Sequence, residues 1–466
     1  MRRHSSSPAL FALVSAAAVA LSSVASADDK TAPNIPFEKY KLKNGLTVVL
    51  AEDHSIPMVA VNQMVRVGSR FEPAGRTGFA HLFEHLMFMG TDRVPTGVFD
   101  QSMEKEGGWN NAWTSEDRTD YFDVSPAHVL PLLLWLEADR VGSLGSSMTQ
   151  AKLDAQRNVV RNERRQRSEN EPYAKVELRL PELLYPEGHP YHHPVIGSHQ
   201  DLEAATVDDV KKFFSQYYVP NNISLVVAGD FDPKQVKADI DRLFSRIPES
   251  KVPDAPPATM PKLGGIVRET IEDDVELPKL VFAWHSPARF APGDAELDIL
   301  SNVLTHGKTS RLYKTLVFDK EIAQSVSASQ VSQDLSSYFE IEALVRPGVS
   351  LDDVEKNVLS VVRDVVDKGV TVAEVDRAKN DFETSFVRGI EGVEGKASLL
   401  NTYETHVGDP GFLAKDLERY RRVDEGAVRS AAKASLDPGA LVIIRVVPRA
   451  KDAKKPDATP AKGGAR

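Results

Sequence analysis

The chain contains no cysteine. Disulfide bonds, thiolate metal ligands and an acylated cysteine behind an export signal are therefore all excluded. It also lacks a basic stripe, because acidic and basic residues are mixed along the chain and the formal net charge is -10. A surface of that kind does not neutralise a row of phosphates, so we expect no nucleic-acid partner.

Long hydrophobic runs are scarce as well. The apolar run over residues 9–21 is well short of the roughly 20 residues that a membrane span requires. It follows Arg2 and Arg3 and precedes Ala25-Ser26-Ala27, which is typical of a cleaved export signal over residues 1–27. A retained anchor is the weaker alternative. We expect a periplasmic or secreted protein with no membrane anchor after signal removal.

The length of 466 residues exceeds what one compact core usually holds, and this favours two domains of about 200 residues each. Residues 247–265 contain five prolines and no apolar periodicity, as a linker does. The sequence therefore predicts an N-terminal domain over 36–246 and a C-terminal domain over 266–447. Residues 448–466 have almost no apolar side chains and are predicted to be a disordered tail.

Apolar periodicity and turn residues predict mixed secondary structure in the first half. Asn44-Gly45 supplies a positive-φ turn for a hairpin over 40–50. A helix is predicted to begin after Gly78, where Phe79 and Leu82 open a helical repeat. Further helices are predicted over 98–108, 127–141, 149–168 and 206–217, and strands over 59–67, 118–124 and 223–228.

The two halves resemble each other. The segment beginning at Ile56 is similar to the segment beginning at Leu277 once a two-residue gap is allowed. In that register HLFEH, residues 81–85, is matched by LSNVL, residues 300–304. The polar residues therefore belong to one copy only, and the fold does not require them.

HLFEH has the spacing of a metal site. His81 and His85 lie four residues apart, which places them about 40° apart around a helix, and Glu84 projects from the same side. Two histidines, one carboxylate and an open position form a hydrolytic zinc site that lowers the pKa of water toward ~7. Glu84 would then activate that water. The alternative is an amphipathic helix whose histidines are surface or satisfied core residues.

FAHLFEHLMFMGT resembles the inverted zinc motif of the pitrilysin or insulinase family of metallopeptidases. The resemblance continues through KLKNGLTVVL, GGWNNAWTSEDRTDYF, VVRNERRQ, HPYHHPVIG, YYVPNNISLVVAGDF and SRLYKTL, and so covers nearly all of the mature chain. It implies an α+β fold of two homologous α/β-sandwich domains, each a mixed, largely antiparallel sheet packed with helices. It also implies a zinc-dependent endopeptidase with one Zn2+ per chain.

The resemblance identifies the third ligand as Glu163 in VVRNERRQ, 78 residues after His85. The predicted helix over 149–168 puts Gln156 and Val159 on the same face as Glu163. The alternative is that Glu163 is one more member of a charged helix. Many relatives carry a second glutamate at the position of Gln156, which here can hydrogen-bond without adding charge. We expect Gln156 to support the site from outside the ligand set.

Substrate handling is also implied by the resemblance. Asn111 and Ala112 are expected on an edge strand beside the metal, where an extended peptide adds through main-chain bonds. An ordinary edge strand with a polar turn is the alternative. His189, His192 and His193 lie among prolines, so we expect a surface loop there rather than a second metal site.

Active sites of this family also use an arginine and a tyrosine from a non-zinc domain. Here the matching stretch, LVFDKEIAQSV, offers Val317 or Phe318 and Gln324 instead. Arg311 and Tyr313 in SRLY belong to a different feature. The resemblance therefore implies a heterodimer with a homologous non-zinc subunit that supplies the pair, with a homodimer as the alternative. A rival function is a non-catalytic scaffold or peptide-binding clamp of the same fold.

Overall fold

A computed structural model describes residues 33–449. The predicted signal over 1–27 lies outside the described residues, as does all of the predicted tail beyond residue 449. Among residues 33–449, no helix is both long and apolar enough to cross a bilayer.

Two sheets organise the described chain. Their strands are β1 (Glu38–Lys41), β2 (Thr47–Glu52), β3 (Met58–Val65), β4 (Trp109–Thr114), β5 (Thr119–Pro126) and β6 (Ile223–Gly229) in the first sheet, and β7 (Val267–Asp273), β8 (Lys279–Ser286), β9 (Ala323–Val331), β10 (Ser337–Val345) and β11 (Val442–Pro448) in the second. The order is β1-β2-β6-β3-β5-β4 in the first sheet and β7-β11-β8-β10-β9 in the second. Each sheet contains one parallel pair, β2 with β6 and β7 with β11, and all other pairs are antiparallel. The matching orders confirm the predicted duplication and the α+β class.

Helices connect and cover these strands. They are α1 (Phe79–Leu86), α2 (Val98–Lys105), α3 (Leu130–Ser147), α4 (Gln150–Glu163), α5 (Lys175–Leu184), α6 (His199–Ala204), α7 (Val207–Tyr217), α8 (Pro233–Phe244), α9 (Asp294–Thr305), α10 (Leu351–Lys368), α11 (Val372–Gly389), α12 (Val393–Val407), α13 (Leu413–Arg421) and α14 (Glu425–Ser435). Two π-helical segments, Arg164–Asn170 and Tyr313–Asp319, add wider turns.

Local sequence explains most of these boundaries. The hairpin of β1 and β2 turns at Gly45, whose φ of 86° lies in the left-handed region that glycine tolerates. Two predicted helices are corrected. The helix predicted over 127–141 begins at Leu130, because Pro131 suits a first helical turn, and it continues to Ser147. The helix predicted over 149–168 is α-helical only to Glu163 and then becomes the π-helical segment.

Each sheet packs one face against helices of its own half. In the first half Val59 and Val61 of β3 share a core with Leu82 of α1 and Leu133 of α3. In the second half β8 and β10 share a core with α9, α10 and α14. Residues 247–265 between the halves contain no helix or strand.

The opposite face of each sheet is covered by a helix from the other half. Helix α5 of the first half packs Val176, Leu180 and Leu184 against Val281 and Ile444 of the second sheet. Helix α12 of the second half lies across β3 and β6 of the first sheet. Residues 33–449 accordingly belong to one compact unit. Because α5 and α12 each pack on the sheet of the other half, the second sheet lies close to the cavity described below.

Candidate metal centre and its cavity

Helix α1 turns one polar side toward a cavity. It begins after Gly78, which has a φ of 88°, and its apolar residues Phe79, Ala80, Leu82, Phe83 and Leu86 are all buried. Packing of those residues into the first core fixes the rotation of the helix, so that His81, Glu84 and His85 line the cavity.

Three side chains converge at the cavity wall. Nε2 of His81 lies 3.3 Å from Nε2 of His85, and Oε2 of Glu163 lies 3.1 Å from His85 and 3.8 Å from His81. A tetrahedral zinc ion about 2.0–2.1 Å from nitrogen and oxygen donors places those donors about 3.3–3.4 Å apart. The donor atoms and their spacing therefore fit a zinc ion. Within the described residues, His81, His85 and Glu163 are the group of three metal-ligand side chains whose donor atoms all lie within 4.8 Å of one another.

The protonation of His81 suits metal ligation. Burial, followed by repulsion from the neighbouring His85, lowers the pKa of His81 to about 4. At neutral pH its ring is therefore uncharged, as a metal ligand must be. Its Nδ1 atom is buried and has no hydrogen-bond partner among the described residues.

Glu163 stands at the junction between α4 and the π-helical segment. Its Oε1 accepts a hydrogen bond from Nη1 of Arg167 at 2.8 Å, which leaves Oε2 facing the histidines. Contact with His85 is the main reason that its pKa is lowered, so the carboxylate is ionised. π-Helical turns are frequent at functional sites because they re-aim side chains.

Glu84 lies beside the three clustered side chains. Its Oε2 accepts a hydrogen bond of 2.6 Å from Oγ1 of Thr114 on β4. Burial raises the pKa of Glu84 above its ordinary value. A raised pKa makes a carboxylate a better proton acceptor, which is what a general base requires. Thr114 was not identified from the sequence, although it follows Ala112 at the two-residue spacing of a strand face.

The strand predicted to bind substrate is an edge strand. β4 is the outermost strand of the first sheet and pairs only with β5. Asn111 and Ala112 both line the cavity. The Ala112 N–H donates to Oδ1 of the adjacent Asn111 at 2.8 Å, so it is directed away from β5. That main-chain donor is available to another strand once the Asn111 side chain moves aside.

The cavity has a volume of about 1200 Å³ and extends from the metal centre to the second sheet. Beyond the metal centre, its acidic side chains are Glu116, Glu171, Glu177, Glu340 and Glu342, and its basic side chains are Arg167 and Lys279. Both cations are paired, Arg167 with Glu163 and Lys279 with Glu342 at 3.1 Å. Burial, followed by repulsion from Glu342, raises the pKa of Glu340 to about 7. The wall contributed by the second half therefore carries excess negative charge.

Gln156 is not in contact with the clustered side chains. Its Nε2 donates to Sδ of Met89 at 2.7 Å, and it is absent from the cavity lining. In the structure, therefore, Gln156 does not supply the predicted support. An uncharged amide gains less than a glutamate would from approaching the histidines, and the Met89 contact takes its place.

The histidine-rich segment differs from the expected surface loop. Tyr191 is fully buried, and its hydroxyl donates to Oδ1 of Asp117 at 2.5 Å while accepting from the N–H of Leu335 at 3.0 Å. The segment thus joins the two halves, because its aromatic side chain fills the junction. His189 and His192 contact neighbouring protein groups and do not form a metal cluster within the described residues.

The residues of the second half that take the place of the family's arginine and tyrosine do not line the cavity. Phe318 is 71% exposed, and Gln324 lies on the exposed part of β9. Arg311 forms a bidentate pair with Glu374, at 2.8 and 2.7 Å. Arg311 is thereby a structural residue in this chain.

Comparisons with known proteins identify a family for both halves of the chain. Residues 47–195 match the family described as "Insulinase (Peptidase family M16)", and residues 204–382 match "Peptidase M16 inactive domain". The zinc protease PqqE of Helicobacter pylori is 31% identical over 371 residues, covering 78% of this chain and 83% of that protein.

Solved structures show the same architecture. A protease from Helicobacter pylori superposes with a TM-score of 0.84 at 28% identity, covering 89% of this chain and 100% of the other. A structure described as the peptidase M16 inactive domain from Pseudomonas fluorescens superposes with a TM-score of 0.80 at 18% identity, covering 89% and 98%. The second of these likenesses concerns the fold alone.

Fold and site together define a two-sheet chain of the peptidase M16 type, with its candidate metal-ligating residues in the first half. The chain belongs to the insulinase family of peptidases, family M16.

Proposed function

We propose that this chain is a zinc-dependent endopeptidase that hydrolyses extended oligopeptides. The observation that carries the proposal is the triangle of His81, His85 and Glu163, whose donor atoms are 3.1 to 3.8 Å apart, with Glu84 beside it. These three residues would hold one Zn2+. When bound, zinc acidifies a water molecule toward a pKa of ~7 and polarises a peptide carbonyl.

The chain's own groups supply the remaining steps. Glu84 accepts the proton of the attacking water and returns it to the departing amine, in line with its raised pKa. Thr114 holds Oε2 of Glu84, which orients the carboxylate. The Ala112 N–H on β4 binds a main-chain carbonyl of a peptide that adds to the sheet edge. Because main-chain bonds ignore side-chain identity, specificity has to come from elsewhere in the cavity.

The acidic wall is a source of such specificity. Glu177, Glu340 and Glu342 line the cavity, and Lys279 forms an ion pair with only one of them, Glu342. A cationic peptide segment placed there offsets the repulsion between Glu340 and Glu342, which adds to burial in raising the pKa of Glu340. We therefore expect Lys-rich or Arg-rich oligopeptides to be better substrates than acidic ones of equal length.

We also propose that a partner subunit supplies groups that this chain lacks. Phe318 and Gln324 lack the chemistry of the arginine and tyrosine that the family uses at the reacting carbonyl, so those groups have to come from another chain. The proposed assembly is a heterodimer with a homologous non-zinc subunit, and a homodimer is the alternative. The proposed location is the periplasm or the outside of the cell, after removal of residues 1–27, as a protein without a membrane anchor.

The competing function is a non-catalytic scaffold or peptide-binding clamp. It is favoured by the absence of the arginine and tyrosine, and by the match of residues 204–382 to a domain described as inactive. Metal analysis and a peptide digest separate the two functions. The protein should be purified alone and with the homologous subunit, analysed for metal by mass spectrometry, and given a mixture of basic and acidic peptides. One zinc per chain and cleavage abolished by Glu84→Gln support the enzyme, whereas metal-free protein that binds but does not cut peptides supports the clamp.

A further inference from the structure

Glu72 reaches the first turn of α1 from outside the helix. Its side chain has no solvent exposure. Oε2 accepts a hydrogen bond from the N–H of Gly78 at 2.8 Å, and Oε1 accepts one from the N–H of Ala80 at 2.7 Å. The N–H of Phe79 bonds to the same carboxylate. One buried side chain therefore binds three consecutive main-chain donors immediately before His81.

Helix α1 needs this support more than most helices do. It has only eight residues, and its N-cap is Gly78, which has no side chain to accept from the exposed amides. The first amides of a helix have no partner within the helix, and so short a helix is unstable by itself. Glu72 supplies the missing acceptors.

The duplicated half provides an internal comparison. In the register that matches residues 81–85 with 300–304, RFEP of the first half corresponds to RFAP of the second, so Ala291 stands where Glu72 does. Helix α9 is capped by its own residue instead, because the N–H of Gly293 donates to Oε2 of Glu296 at 2.9 Å. The copy without metal-ligating residues thus also lacks the external carboxylate.

We propose that Glu72 is a positioning residue that fixes the first turn of α1 and thereby presets the approach of His81 and His85 to Glu163. The inference rests on the proposed function, since it assigns Glu72 to the same zinc site. Without the three bonds the first turn of α1 loosens, and His81, the residue after Ala80, loses its fixed position. A metal site loses affinity when its ligands must be ordered at the moment of binding.

The test compares the same substitution at two helix starts. Glu72→Gln replaces one carboxylate oxygen by an amide that repels a main-chain N–H, and Glu296→Gln does the same at α9. Zinc dissociation constants should be measured with a competing chelator, and thermal unfolding should be followed in EDTA. We expect Glu72→Gln to weaken zinc binding by about 10–100-fold, as the loss of groups that orient metal ligands does. Glu296→Gln should lower the melting temperature while leaving zinc affinity within about two-fold of the unchanged protein.

A third variant covers the case in which Glu72→Gln does not fold. Glu72→Asp keeps both carboxyl oxygens with a shorter reach, and it should give an affinity between those of the unchanged protein and Glu72→Gln. Unchanged zinc affinity in a folded Glu72 variant, accompanied only by a lower melting temperature, would overturn the positioning role. If the unchanged protein binds no zinc, the proposed function itself fails. The two failures are therefore distinguishable.

Discussion

Helices α1 and α9 occupy equivalent places in the two halves but carry different side chains. Helices α1 and α9 follow equivalent strands, β3 and β8, and both pack into the core of their own half. At the matched positions α1 carries His81 and His85, which are 12% and 21% exposed, whereas α9 carries Leu300 and Leu304, which are fully buried. The same scaffold thus serves packing in one copy and carries a candidate metal centre in the other. The fold by itself does not determine the function, which depends on the residues placed on it.

The largest expected effect is the loss of peptide hydrolysis in Glu84→Gln, a variant of α1 that keeps the proposed zinc ligands. Glu84→Gln removes the proton acceptor without altering a ligand, so we expect peptide hydrolysis to fall by about 10²–10⁴-fold. Zinc content should remain that of the unchanged protein. The measurement is kcat/KM on a cleaved peptide, with metal analysis of the same sample. Glu296→Gln, at the start of α9 and outside the cavity lining, is the control. Turnover that persists in Glu84→Gln would remove Glu84 from its assigned role.

Exchanging residues between α1 and α9 is expected to lower the free energy of unfolding in only one of the two directions. His81→Leu with His85→Leu makes α1 resemble α9, and it should abolish zinc binding without lowering the free energy of unfolding in EDTA. Leu300→His puts a polar ring into the second core, where its loss of packing and desolvation should cost about 2–4 kcal/mol. Chemical denaturation of the metal-free proteins measures both changes. Equal destabilisation by the two exchanges would show that α1 and α9 do not differ as described.

The outer face of each sheet holds a carboxyl group with a raised pKa, which predicts a pH dependence of stability. Asp120 of β5 is fully buried, accepts from Nδ2 of Asn62 at 2.9 Å, and has its pKa raised by burial from 3.8 to about 7. The folded protein therefore keeps a proton that the unfolded chain releases. This bound proton stabilises the folded protein fully below about pH 4. The stabilisation, at most about 4 kcal/mol, is lost as the pH rises through about 7. The outer face of the second sheet, under α5, holds Glu340, whose pKa is also raised to about 7, so it adds a change of the same sign.

Urea denaturation at pH 5 and pH 8, in EDTA, tests this prediction. The unchanged protein should lose more free energy of unfolding between the two pH values than Asp120→Asn, which has no proton to release. Val281→Ala, beneath α5, should be less stable by a similar amount at both values. If Asp120→Asn retains the full pH dependence, the carboxyl group of Asp120 is not its source.

The smallest expected effect is a loss of kcat/KM when the edge strand β4 is altered, compared with the same change on the edge strand β9. On β4 the Ala112 N–H is covered only by the neighbouring Asn111, whereas on β9 the Ala328 N–H donates to Oγ1 of Thr305 at 3.1 Å. Ala112→Pro removes the free donor and should lower kcat/KM by about 10-fold, the value of one hydrogen bond, with zinc retained. Ala328→Pro should reduce stability but not kcat/KM. Equal kinetic losses in both variants would argue against peptide addition at β4.

Much of the candidate site was predictable because its signals are local. The four-residue spacing of His81 and His85 needs only a helix, and the mismatch with residues 300–304 separates chemistry from packing. Glu163, in contrast, was identified by resemblance, because no local rule links it to a helix 78 residues earlier. Glu72 was missed although RFEP and RFAP differ at that residue, because a single Glu beside a proline predicts no contact with a later helix.

By itself, the sequence determined the duplication and which half carries the candidate ligands His81 and His85, because periodicity and spacing are properties of neighbouring residues. The α+β class followed from the resemblance to a known family. Only the tertiary structure decided that α5 and α12 exchange between halves, that Tyr191 fills the junction, and that Glu340 and Glu342 of the second sheet face the cavity of the first half. Those contacts join residues up to several hundred positions apart. They depend on how complete surfaces pack, and no short pattern encodes that.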